Sequence, residues 1–183
     1  MRIAVSGTHG VGKSILVDEF LRVHPEFVHE PEPYTVIVED FGEEFSAEPC
    51  VEDFLRQLAF NIDRLHQHAP GENVIYERCP VDFLAYIHAL DPEIADGLRD
   101  EVSEAMRHLD LIVYLPFENH FIREDEFPKL QRAMDHTLSA VFRDNEVGTT
   151  NSVVEAEGST AQRLRIIEKA LMDIKHASLR GLA

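Results

Sequence analysis

At 183 residues with an ordinary apolar fraction, the chain suits one domain with a proper core, expected to span 1–183. Its formal charge of −17 repels nucleic-acid phosphates and anionic lipid, so neither nucleic acid nor a membrane surface is an expected partner. No run approaches the roughly twenty apolar residues of a membrane span, the start lacks a signal-peptide layout, and Cys50 and Cys79 lack metal-ligand spacing; a cytoplasmic protein with reduced thiols is expected.

Met1 to Ser6 reads as a short buried strand. It runs into Gly7-Thr8-His9-Gly10-Val11-Gly12-Lys13-Ser14, which matches G-x-x-x-x-G-K-[ST] in its required strand context. From Ile15 onward, Leu16, Val17, Phe20 and Leu21 recur at helical spacing and supply the helix that must follow. The glycines let the backbone come close to a polyphosphate, whose charge then sits among amide N–H groups at a helix N-terminus. Residues Gly7 to Ile15 are therefore the expected nucleotide-binding stretch, with Lys13 between the β- and γ-phosphates and the Ser14 hydroxyl on Mg²⁺.

Glu26 to Glu30 reads as a second strand, and the alternating prolines of Pro31-Glu32-Pro33-Tyr34 predict a loop leaving its carboxyl end. Thr35 to Pro49 has no clean period, with room for a short helix. Val51, Phe54, Leu55, Leu58, Ile62 and Leu65 then define an amphipathic helix to about His68. Asn73 to Glu77 is a third strand, followed by helices over Val81–Leu90 and Glu93–His108, with Asp91-Pro92 between them. The apolar run Leu109 to Leu115 suits the middle of a parallel sheet covered on both faces. After an irregular, charged segment, 117–131, come a helix over Lys129–Phe142, a last strand over Ser152–Ala156 and a closing helix over Ser159–His176. Five strands alternating with helices predict an α/β fold built on a doubly wound, five-stranded parallel sheet, with ligands beyond the carboxyl ends of its strands.

That topology gathers residues far apart in sequence. Either Glu30 or Glu32 could accept a proton from an attacking hydroxyl, and the spacing leaves both open. Glu77, ending an apolar strand, could hold a Mg²⁺-bound water, and Arg78 beside it could pair with substrate or phosphate; the alternative is an ion pair that closes the sheet end. Asp82 either joins this group or caps the next helix. In the 117–131 segment, Arg123 is the first choice for a charge closing over the phosphates, and Arg132 just beyond is the second; each could instead serve as a surface partner of Glu124, Asp125 or Glu126. Gln57 and Arg64 lie on the helix from Val51, and Gln57 could read the edge of a base or face solvent.

Taken together, G-T-H-G-V-G-K-S, E-P-E-P-Y, F-L-R-Q-L-A-F-N-I-D-R-L and Y-E-R-C-P-V-D-F-L-A-Y resemble the P-loop nucleoside and nucleotide kinase group. The chain is most similar to bacterial AAA-type ATP-binding kinases and more distantly to the deoxynucleoside kinases. The resemblance implies a three-layer α/β/α P-loop NTPase fold. It also implies a Glu-Pro general base at Glu30-Pro31 or Glu32-Pro33, a Glu-Arg-Ser element represented by Glu77-Arg78-Cys79, and a base-reading glutamine at Gln57. A family lid rich in arginine is thinner here, with Arg123, Lys129 and Arg132, and Asn119-His120-Phe121 lacks the N-K-x-D pattern of Ras-type GTPases. The expectation is an ATP- and Mg²⁺-dependent kinase acting on a hydroxyl of a nucleoside-like small molecule held by Tyr34, Gln57 and Arg78, with adenine near Gly158 to Ala161. The rival expectation is a nucleotide-binding switch without a small-molecule acceptor. A homodimer is the one assembly left open.

Overall fold

The computed structural model describes residues 1–117, 127–144 and 152–180. In chain order these form β1 (Arg2–Ser6), α1 (Lys13–Val23), β2 (Val28–Glu30), α2 (Pro33–Glu39), α3 (Val51–Gln67), β3 (Val74–Glu77), α4 (Pro80–Leu90), α5 (Pro92–Met106), β4 (Leu111–Tyr114), α6 (Pro128–Asp144), β5 (Ser152–Glu155) and α7 (Thr160–Arg180). The strands lie in the order β2-β3-β1-β4-β5 and every pairing is parallel. From β1 the chain moves toward β2; from β3 it returns past β1 to β4. Strand order thus reverses beside β1, the place where open sheets of this kind bind ligands.

Strand alternation makes two cores. Ile3, Val5, Ile75, Leu111 and Val113 face Leu16, Val17 and Phe20 of α1 and Ile167 and Leu171 of α7. Ala4, Val74, Tyr76, Ile112 and Tyr114 face the opposite layer, built from α3, α4, α5 and α6. Each such fully buried aliphatic side chain contributes about 1.5–3 kcal/mol relative to exposure. A sheet covered on both faces explains why β4 and the middle of β1, Ile3 to Val5, read as unbroken apolar runs. The fold is a three-layer α/β/α P-loop NTPase fold around a five-stranded parallel sheet.

The proline-rich turn differs from expectation. Pro33 occupies the first position of α2, where the missing N–H costs nothing and the fixed φ suits a helix, with Glu32 as the N-cap residue. The strand expected from Glu26 shrinks to Val28–Glu30, because the Phe27 N–H is taken by the His24 carbonyl at the end of α1.

Candidate active site

The stretch from Gly7 to Gly12 joins β1 to α1 and turns under steric constraint. Gly7 has φ +146°, and a Cβ there would lie 2.6 Å from the Leu115 carbonyl oxygen, so the loop packs against the end of β4 only with glycine at this point. Gly12, at φ +91°, caps α1. The Gly7 N–H donates to Asp82 Oδ1 at 3.0 Å. Lys13 is buried, and its Nζ donates to the carbonyls of Thr8 (2.8 Å) and Gly7 (3.1 Å). Burial first, then repulsion from Arg78, lowers the Lys13 pKa to about 8.

At the end of β3, Glu77 is 6% exposed and accepts from Ser14 Oγ at 2.8 Å through Oε2. Arg78 follows with φ +77°, the one non-glycine residue among those described with a left-handed backbone. That turn buries its guanidinium, 1% exposed, beneath the phosphate loop. There Nε donates to Glu32, Nη1 to the Gly7 carbonyl at 3.1 Å and Nη2 to His9 Nδ1 at 2.9 Å, with Asp82 Oδ1 3.6 Å from Nη1. The guanidinium lies 5.4 Å from the centre of the Tyr86 ring.

These contacts set the charge states. Burial opposes ionisation of Glu32, but Arg78 and then Lys13 outweigh it and hold the carboxyl at about 2. His9 is exposed as a residue, but the loss of hydration where its ring meets Arg78, and then the repulsion from that guanidinium, lower its pKa to about 3. His9 is therefore neutral near pH 7, and accepting from Arg78 at Nδ1 puts its proton on Nε2.

Two cavities meet here. The first, about 470 Å³, is lined by the loop from His9 to Ile15 and by Glu32, Gly158, Thr160 and Arg163. The second, about 360 Å³, has Tyr34, Phe45, Phe54, Gln57, Arg78 and Tyr86 in its wall. His9 and Glu32 border both. Tyr34 stacks on Phe45 with ring centres 5.0 Å apart, and Phe54 on Tyr86 at 4.4 Å. Gln57 is buried, its Nε2 donating to the Asp53 carbonyl at 3.2 Å.

Most residues singled out in the sequence converge on these cavities, but not all. Glu30 lies away from the phosphate loop, 2.6 Å from His68 Nε2 and 3.5 Å from Arg64 Nε, and lines neither cavity. Arg64 belongs with it, its guanidinium 5.1 Å from the Phe60 ring centre. Arg132 is exposed on α6 and borders neither cavity. Arg123, and Asn119-His120-Phe121 with it, lies outside the described residues. Asp82 caps α4 and also holds the phosphate loop.

Three residues carry no sequence signal for the parts they play. Arg163 of α7 donates to the Val11 carbonyl, and Gln131 of α6 donates through Nε2 to the His9 carbonyl at 2.7 Å. Both buttress the loop from over a hundred residues away, where no local pattern could reveal them. His29 of β2 reaches Glu77, and its place immediately before Glu-Pro-Glu-Pro gives no hint of that partner 48 residues away.

Among solved structures, the chain is similar to a NadR protein in complex with NR, with TM-score 0.67 and 14% identity, covering 92% of this chain and 50% of that one. It thus spans half the length of that protein. It is also similar to deoxyadenosine kinase from M. mycoides (TM-score 0.65, 17% identity, 94% of this chain and 100% of that one). A third similar structure is thymidylate kinase from Ehrlichia chaffeensis (TM-score 0.63, 15% identity, 94% and 98%). At these identities the likeness establishes the fold. No curated protein matches the chain. A family model described as AAA domain matches residues 2–163, and the chain belongs to that AAA-domain family of P-loop proteins.

Proposed function

We propose that the protein is an ATP-dependent phosphotransferase that moves the γ-phosphoryl group to a hydroxyl of a nucleoside-like small molecule. The observation that carries this reading is the meeting of two cavities at Glu32 and His9, with Arg78, bonded to Glu32, in the wall of the second. A switch protein needs only the first cavity; a two-substrate enzyme needs both, opening on one point of transfer.

In the first cavity, the amides of the Gly7–Ser14 loop and Lys13 would cradle the phosphates, with the nucleoside end toward Gly158 and Thr160. The adjacent Ser14 hydroxyl and Glu77 carboxylate are hard oxygen donors and fit Mg²⁺. ATP with Mg²⁺ supplies the transferable phosphoryl group and neutralises charge on its oxygens. The chain's own groups do the positioning. Glu32, ionised near neutral pH, would accept a hydrogen bond from the acceptor hydroxyl, orient it and take its proton. Arg78, fixed in place by Glu32, Gly7 and His9, would offset negative charge at the point of transfer. Gln57 and the aromatic pairs would hold a flat ring.

The second cavity also suggests which acceptor fits. Arg78 is the one Lys or Arg among the described residues of its wall, and three of its five N–H groups are already engaged by Glu32, Gly7 and His9; His9 is neutral. A phosphate group on the acceptor would find little to pair with, so a nucleoside fits better than its monophosphate. ADP release measured across nucleosides, nucleoside monophosphates and other small alcohols tests this. At least one nucleoside should accelerate turnover about tenfold or more over the acceptor-free rate. Tight ATP binding with no accelerating compound would overturn the kinase reading in favour of the switch.

A further inference from the structure

His29 lies in β2 opposite Ile75 of β3, a residue on the α1 face of the sheet. Strand alternation puts Glu77, two residues beyond Ile75, on that same face. There His29 Nε2 is 3.1 Å from Glu77 Oε1, while the other oxygen of the same carboxylate, Oε2, takes Ser14 Oγ. A carboxylate only accepts, so the hydrogen is on Nε2 and His29 is the donor. The last torsion of a glutamate is broad and two-fold, and leaves the carboxylate plane undetermined. One oxygen tied by His29 sets that plane and aims the other oxygen at Ser14, at the first turn of α1.

We propose that His29 is a positioning residue for the Mg²⁺ site, acting through Glu77. This rests on the reading of Ser14 and Glu77 as the pair that holds Mg²⁺. The His29 side chain is 30% exposed while Glu77 is enclosed, so the bond spans from the edge strand into the site rather than filling the core. Partners behind a metal-holding group fix its orientation, and their loss costs about 10–100-fold in metal affinity.

The test is calorimetric ADP binding to the full chain in Mg²⁺ and in EDTA, for wild type, His29→Ala, His29→Leu and His29→Gln. Both donor-free variants should bind ADP about tenfold more weakly in Mg²⁺ and within twofold of wild type in EDTA. His29→Gln, which keeps an N–H donor, should recover most of the loss. Equal weakening in both media, or none in either, would overturn the positioning role and leave the nucleotide site standing. A wild-type affinity that is the same with and without Mg²⁺ would overturn the Ser14–Glu77 pair itself, and the role of His29 with it. Thermal melts identify any variant that does not fold, and the remaining donor-free variant then decides.

Discussion

Glu30 closes β2 opposite Tyr76, which places its side chain on the α3 face, within reach of His68 and Arg64. Glu32 stands two residues further on, beyond the strand, at the N-cap of α2, and turns toward Arg78. The two Glu-Pro pairs are alike in sequence and differ in their partners, Arg64 and His68 for Glu30 and Arg78 for Glu32. Glu32→Gln should therefore lower kcat about 10²–10⁴-fold, the range for losing a general base, while Glu30→Gln should stay within about threefold. Glu30→Gln should show itself in stability instead. Burial disfavours the His68 cation, but hydrogen bonds to Glu30 and then Glu72 outweigh it and raise the pKa of the ring. Stability from such a group is complete below its unfolded value, about 6.5, and is lost as pH rises through the higher folded value. The melting temperature of Glu30→Gln should thus trail wild type more at pH 6 than at pH 9. A gap that is constant with pH, or a kcat that falls equally in both variants, would refute the division of labour.

The first turn of α4 shows how one helix start can hold the phosphate loop. Asp82, fully buried, accepts from the Cys79 N–H at 2.9 Å and the Cys79 thiol at 3.1 Å through Oδ2, and from the Gly7 N–H at 3.0 Å through Oδ1. Asp82→Ala would leave two buried amides without acceptors, each costing about 1–3 kcal/mol. Urea unfolding should show a loss of at least about 2 kcal/mol, with weakened ATP binding because the Gly7 amide loses its anchor. Asp82→Asn keeps one acceptor oxygen and should lose less. The sequence allowed Asp82 as a cap, since a carboxylate just inside a helix after Cys79-Pro80 has a local reason to be there. Its bond to Gly7, 75 residues away, has no local signature. The same contrast separates the rest. The Gly7–Ser14 loop and the apolar strands were legible because glycine, lysine and periodic burial leave their mark within a few residues. The choice of Glu32 over Glu30 was not, because it depends on where β2 ends. Gln131 and Arg163 were not legible because their partners are carbonyls in a distant turn.

Across the whole molecule, 34 acidic residues face 17 Lys and Arg, yet the first cavity must attract a polyphosphate. It does so with a few local groups: Lys13 and Arg163 in its wall, Arg78 just beneath, and the amides of the loop. These act over a few ångströms, whereas the −17 surface acts over the Debye length, about 30 Å at 0.01 M salt and about 8 Å at 0.15 M. At low salt an approaching nucleotide anion feels the repulsion of the entire surface; near 0.15 M it feels mainly the groups beside the cavity. The association rate of a fluorescent ATP analogue, followed by stopped flow at fixed Mg²⁺, should therefore rise between 0.01 and 0.15 M salt, by about two- to tenfold. Most anion-binding sites steer their ligand with a favourable field and slow down as salt is added. A rate that falls with salt would mean that the acidic residues lie away from the cavity mouth and that its local cations dominate the approach, so the sign of the slope separates a repelling surface from a steering one.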